Sequence, residues 1–260
     1  NEDNTINRKV FIQKIGSVIR AIILIEISFI LLYPLMYTLS VAFRPPAQLN
    51  DPVIVWIPKN LTFENIKNVW EFIKFPTLIF NTVTISVLSA IMQTAICAIA
   101  GYGFARFKFK GSKLMFALLL FSIIVPVNTI LMPLYNQIRF FDFFGIGRLI
   151  APLTGRLIHI NLYNTPFAII LPSIMGNGIK GAIFIYIFRQ SFKGLPMDIE
   201  EAAYIDGCGF LRTFAVIMAP SASGAFLVVM ILSIIWHWND ITFTSMFFPK
   251  LETLAIALES

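Results

Sequence analysis

Long apolar runs alternate along the chain with short basic or proline-rich ones, and a helix needs about 20 apolar residues to cross a hydrocarbon core. The first such run, Ala21 to Phe43, is broken by one charge, Glu26, and exits into Arg44-Pro45-Pro46. A signal peptide has an apolar region of about 7–15 residues ending at small residues, so this longer run predicts an anchor helix. Residues 44–76 carry Pro45, Pro46, Pro52, Pro58 and Pro76 and predict an aqueous loop. Inside it, the helical spacing of Leu61, Ile66, Val69 and Phe72 predicts a short surface helix over 61–72. A second span is predicted over 77–103. A third follows over 114–138, where Pro126 and Pro133 predict a kinked helix. Charges at Arg139, Asp142, Arg148, Arg156 and His159 predict an aqueous loop with room for an interfacial helix. A fourth span is expected to begin within 167–180, across Pro172, Gly176, Asn177, Gly178 and Lys180, and to end near Phe188. The fifth covers 214–236, and no later segment is long enough to span.

Composition agrees with a polytopic all-α bundle. Hydrophobic residues make up 57% of the 260 and charged ones 13%, against about 45–50% and 25% in soluble domains. That leaves too little charge to coat a water-facing surface, and it excludes a disordered chain or a nucleic-acid binder despite the net charge of +6. Cys97 and Cys208 form no disulfide framework and lie in no metal-ligand cluster. No cofactor or metal is expected. Segments 1–20, 105–113 and 189–216 hold 11 Lys/Arg in 57 residues, against 8 in the 85 residues of 44–76, 139–166 and 237–260. Basic loops stay inside, so the N-terminus is predicted to be cytoplasmic.

The stretch Leu195 to Pro220, LPMDIEEAAYIDGCGFLRTFAVIMAP, is the most informative. Pro196 suits a first helical position, and Asp198, Glu200 and Glu201 suit the positive end of a helix dipole. Ile199, Ala202 and Ala203 share a face, and Gly207 and Gly209 end the helix. A helix of two to three turns is marginal in water alone, so it must dock, either on its own protein or on a partner.

Glu201-Ala-Ala-Tyr-Ile-Asp-Gly207, with Pro196 before it and Pro220 after it, resembles the EAA loop of type I ABC importer permeases, E-A-A-x-x-D-G. The resemblance extends from about residue 54 to 240. Residues 81–86, NTVTIS, are similar to the family's N-[ST]-x-x-[VI]-[ST], and 101–111, GYGFARFKFKG, to A-Y-A-x-A-R-x-x-F-x-G. Trp56, Pro58, Lys59, Asn60 and Asn65 resemble its F-P-x-x-x-T-x-x-N-Y entry; Trp238-Asn239-Asp240 resembles the W-N-[DE] of the carbohydrate-uptake, maltose-type branch. Two departures stand out: five spans where the family has six, so that a sixth is expected, and a longer connection over 139–165.

The resemblance implies a cytoplasmic segment over 1–20, a first span over 21–43, an external loop over 44–76 and a permease core over 77–260 containing a coupling loop at 194–213. It also implies a homologous permease partner, two ATP-binding subunits and an extracytoplasmic solute-binding protein. Glu201, Ala202, Ala203, Asp206 and Gly207 would carry ATPase coupling, with Ala202 and Ala203 permitting close approach. The chain has no GxxxxGK[ST] phosphate loop, so hydrolysis is expected in a partner. Polar residues at membrane depth, Asn81, Thr84, Gln93, Asn128, Asn136 and Gln137, are candidates for lining the pathway or for bonding between helices. An ion-coupled transporter would want charges buried mid-span, for which only Glu26 and Lys180 qualify. An intramembrane enzyme would want a His/Asp/Glu or Ser/His constellation, and His159 and His237 stand apart from one another. The orientation has a direct check. With Cys97 and Cys208 replaced, Lys110→Cys should resist an impermeant maleimide applied to intact cells, whereas labelling from outside would invert the topology.

Overall fold

A computed structural model of the chain describes residues 2–49, 56–143 and 145–259. Pro52, the first two positions of the 54–65 match and the side chains of Arg8 and Lys9 lie outside what it describes. The chain divides into two compact units, Asn1–Phe75 and Pro76–Ser260.

In the first unit, α1 (Glu2–Ala42) extends the predicted anchor toward the N-terminus as one helix. Its apolar side chains are exposed along the span, as suits a lipid-facing helix. The surface helix predicted over 61–72 forms as α2 (Glu64–Phe72). Asn65 Nδ2 donates to the Arg44 carbonyl at 2.7 Å, stapling α2 to the end of α1. The buried Arg44 guanidinium donates back to Ser40 Oγ at 2.9 and 3.1 Å.

The second unit is built on α3 (Phe75–Arg106), the expected second span. The third span is broken rather than kinked: α4 (Ser112–Ile124) and α5 (Val127–Arg139) meet at 108°. The cause is Pro126, which drives the residue before it out of the helical region; Val125 is extended, at φ −64 and ψ 123. Pro133 stays inside α5 without breaking it. A short helix, α6 (Ile146–Thr154), occupies the 139–165 connection.

The fourth span is not one helix. It divides into α7 (Phe167–Ile174) and α8 (Gly181–Gly194), each shorter than a hydrocarbon core requires. Between them Gly176 and Lys180 take positive φ, +71 and +59. The predicted cytoplasmic helix is α9 (Asp198–Ile205). The fifth span starts earlier than expected, at α10 (Phe210–Thr213), and passes through a π turn over Phe214–Met218 into α11 (Ala219–Ser221). Pro220 accounts for the π turn, because its ring would collide with the Val216 carbonyl in a regular helix. After an 81° bend it continues as α12 (Ser223–Trp238). Two short helices follow, α13 (Thr242–Phe247) and α14 (Leu254–Glu259). By length and composition, α1 and α3 can cross a membrane, and so can each bent pair taken as one span. Among the described residues the only extended pairing is one bridge, Phe141 to Ile160.

The core joins α3, α8, the π turn and α12 through Cys97, Tyr102, Phe184, Phe188, Phe192, Met218 and Val229. A glycine sets how closely two of these helices pack. A Cβ built on Gly101 would fall 2.5 Å from Phe188 Cβ and 2.9 Å from the Arg189 nitrogen, so only glycine lets α3 and α8 approach this far. Gly101→Val should therefore cost about 1–3 kcal/mol by overpacking and lower the thermal midpoint in detergent. Gly103→Ala meets nothing nearer than 3.8 Å and should leave the midpoint nearly unchanged.

Candidate functional site

Two arrangements in the second unit carry functional chemistry. One is the short helix α9 and its seat. Glu200 and Ala203, one turn apart, are its buried residues, at 5% and 3% exposure. Opposite them, Ile199, Glu201, Ala202 and Ile205 are exposed, Ile205 at 86%. The face expected to be shared by Ile199, Ala202 and Ala203 is therefore split: Ala203 packs against its own protein, while Ile199 and Ala202 form an outer edge.

The seat is made by the end of α3. Tyr102 Oη donates to Glu200 Oε1 at 2.5 Å, and Tyr204 Oη reaches the same oxygen at 3.3 Å. Arg106 Nε stands 3.0 Å from Glu200 Oε2, with both side chains almost fully buried. The approach is off-axis for a hydrogen bond, so charge rather than directed bonding holds that pair. Arg106 Nη2 also donates to the Leu195 carbonyl at 2.9 Å, fixing the chain that leads into α9. The helix then closes in a Schellman cap: Cys208 N donates to the Ala203 carbonyl at 2.9 Å and Gly207 N to that of Tyr204 at 3.1 Å. Gly207 sits at φ +81, which glycine adopts at little cost. Asp206 is exposed at the last position before that turn.

The other arrangement is a cavity of about 420 Å³ between two broken spans. The α4–α5 break contributes Ser122 and Val125, α5 contributes Gln137, and the α7–α8 break contributes Asn177, Gly178 and Lys180. Behind it, Gln93 Nε2 donates to the Ile179 carbonyl at 2.9 Å and Ser233 Oγ donates to Gln93 Oε1 at 3.2 Å. His237 is buried between Ser173 and Ser233, at 3.3 Å from Ser173 Oγ and 2.8 Å from the Ser233 carbonyl. Two glycines make the break compact. A Cβ on Gly181 would fall 2.1 Å from the Gly176 carbonyl oxygen, and one on Gly178 would fall 2.7 Å from Ser173 Oγ.

The sequence-predicted pathway residues scatter. Gln137 lines this cavity, and Asn136 lines a neighbouring one with Asp142, Arg148 and His159. Asn81 is engaged with the Glu252 carbonyl at 3.0 Å. Thr84 and Asn128 are exposed, and neither is among the residues lining the 420 Å³ cavity. Gln93 serves as a bond between helices. Asp240, read from the sequence only as a motif letter, caps α13 by accepting from the Thr244 nitrogen at 2.8 Å. Sequence reasoning missed Tyr102, Arg106 and Glu200 as a unit; their signal was a basic residue closing one span and an acid beside the EAA letters.

Broken spans around a cavity, with a short helix held at the end of a span, define a membrane transport permease. The fold is that of solved importers: a chain in the crystal structure of a bacterial ABC transporter involved in the import of the acidic polysaccharide alginate superposes with a TM-score of 0.71 at 18% identity, over 95% of this chain and 79% of that one. The chain belongs to the family of binding-protein-dependent transport system inner membrane components, whose model matches residues 93–259. It is 29% identical to the arabinooligosaccharides transport system permease protein AraQ of Halalkalibacterium halodurans, over 82% of this chain and 69% of that one. It is 25% identical to the trehalose transport system permease protein SugB of Mycobacterium tuberculosis, over 81% and 68%.

The buried pair predicts a distinct stability signature. Glu200→Ala strands the Arg106 guanidinium and should cost about 3–5 kcal/mol, seen as faster tryptic cleavage at the flanking Lys193 and Arg212. Adding Arg106→Met should recover part of that loss, and the coupling in the double-mutant cycle measures the pair. Glu201→Ala, on the exposed face, should stay within about 0.5 kcal/mol of the native protein.

Proposed function

We propose that this chain is the transmembrane permease subunit of an ATP-driven importer and forms half of the pathway for an oligosaccharide delivered by a solute-binding protein. The observation that carries the reading is α9, a two-turn helix held at the end of a span by a buried ion pair while its apolar outer edge stays exposed. Exposed apolar side chains outside the membrane mark an interaction surface, and Ile205 and Ala202 are such side chains. The carbohydrate class is supported by the relatives, whose names specify arabinooligosaccharides and trehalose, and by the Trp238-Asn239-Asp240 segment.

In this reading a separate ATPase subunit grips the outer edge of α9, with Glu201 and Asp206 offering acceptors for basic residues and Gly207 supplying the turn. Ala203 acts by seating the helix on the bundle rather than by meeting the partner. A second, homologous permease completes the pathway, and the N-terminus lies in the cytoplasm. The chain itself hydrolyses nothing.

Two substitutions separate the faces. Ala202→Trp should overpack the ATPase cleft by about 1–3 kcal/mol, weakening co-purification of the ATPase roughly 5- to 150-fold while membrane insertion and thermal stability stay native. Ala203→Trp should instead lower the stability of the permease alone. Full transport with Ala202→Trp would make α9 a passive connector. The purified subunit in nanodiscs should show no ATP hydrolysis above background.

A further inference from the structure

Lys180 is the one cationic side chain among the residues lining the 420 Å³ cavity, and that lining includes no carboxylate. The described ion pairs, Arg106 with Glu200 and Arg148 with Asp142, do not involve it. Its depth follows from a hydrogen bond. The neighbouring Ile179 carbonyl accepts from Gln93, which lies near the middle of the 32-residue α3. Lys180 is therefore mid-span, where a charge is costly and marks a functional site by default, and where a lipid headgroup does not reach.

Two more observations show a held cation. The Lys180 backbone has φ +59, a conformation that side chains rarely adopt and glycine adopts freely. Glycine occupies 176, 178 and 181 around it, yet a lysine stands here. Its ammonium lies 5.3 Å from the Trp236 ring centroid, within cation–π range. The same ring is stacked on Phe184 at 5.7 Å. Trp236 is thus committed to fixing the cation and is not a free sugar platform. Asn177, Gln137 and Ser122 supply neutral hydrogen-bonding groups on the same walls, and the volume falls within the range of small-molecule sites.

We infer that Lys180 is a specificity-determining residue of the translocation cavity and that the carbohydrate it passes carries negative charge, as a uronate does. The unpaired mid-span ammonium obtains its counter-ion from the cargo, which lowers the cost of the charged sugar and leaves a neutral one to face an uncompensated cation. The inference rests on the carbohydrate reading above.

The experiment uses the complete importer, with its partner permease, ATPase subunits and solute-binding protein, in proteoliposomes. The probes are di- and trigalacturonate, their neutral methyl esters and an acidic tripeptide. Native importer should take up the galacturonates at least about tenfold better than the esters, the size of one charge-assisted contact. Lys180→Gln should raise the galacturonate KM about tenfold and erase the acid-to-ester ratio, while Lys180→Arg should keep it. Should Lys180→Gln fail to co-purify with its partners, the native acid-to-ester ratio and its loss at high salt decide the matter. Equal uptake of acids and esters, or a ratio unchanged in Lys180→Gln, overturns the inference and leaves the carbohydrate reading standing. Uptake of the tripeptide with neither sugar series overturns both.

Discussion

A helix interrupted inside apolar surroundings leaves backbone groups that water cannot reach, and the whole second unit is arranged around satisfying them. The break between α7 and α8 is the clearest instance. Gln93 spends its amide nitrogen on the Ile179 carbonyl, and Ser233 in turn satisfies the amide oxygen. The Asn177 nitrogen folds back on the Pro172 carbonyl at 2.9 Å, and Gly181 on that of Gly178 at the same distance. Glycines at 178 and 181 let the strands of this turn lie closer than any Cβ would permit. What a soluble protein would place in a surface loop is here closed by side chains from two other helices.

The helix that closes this break also holds α9. Gln93 and Arg106 are 13 residues apart on α3, which at 1.5 Å per residue is about 20 Å. One end binds the cavity break, and the other holds Glu200 through Tyr102 and Arg106. A displacement of α9 must carry α3 with it or break a buried ion pair, and a displacement of α3 must carry the Ile179 wall. Close packing at Gly101 ties α8 into the same movement. In the proposed reading the coupling is mechanical in the plain sense, because two sites share one helix through specific contacts.

How much of this was legible in the sequence depends on the kind of signal. Apolar length located α1, α3 and the two bent pairs, because a hydrocarbon core imposes a minimum run on any helix that crosses it. The EAA letters gave α9 and its glycine stop, because Gly207 must take a conformation other residues avoid. Pro126 announced a kink but not a 108° break, since the effect lies on Val125, whose identity carries no sign of it. The division of the fourth span was invisible as a helix boundary. Glycine, asparagine and lysine interrupt the pattern, but whether such residues bend a helix or end it depends on Gln93 reaching across from another helix. The letters left the inward face of α9 open for a related reason. Apolar spacing selects Ile199, Ala202 and Ala203, yet the buried polar partner on α3 makes Glu200 the inward residue and turns the helix accordingly.

That rotation explains why an ion pair, rather than apolar packing, holds α9. Replacing a buried pair with apolar side chains is often neutral or stabilising, so stability alone does not account for Arg106 and Glu200. An apolar contact is tolerant of rotation, because burial is roughly proportional to area and not to angle. A carboxylate that must meet a phenol, a second tyrosine and a guanidinium has few orientations that satisfy all three. Arg106 adds a further restriction by holding the Leu195 carbonyl, which sets where α9 begins. Turned back by one residue, the helix would set Ile199 against an unpaired arginine. The cost of desolvating the charges is thus exchanged for a single presentation of Ala202 and Ile205, and in the proposed reading a partner that pulled on that edge would pull on the bundle.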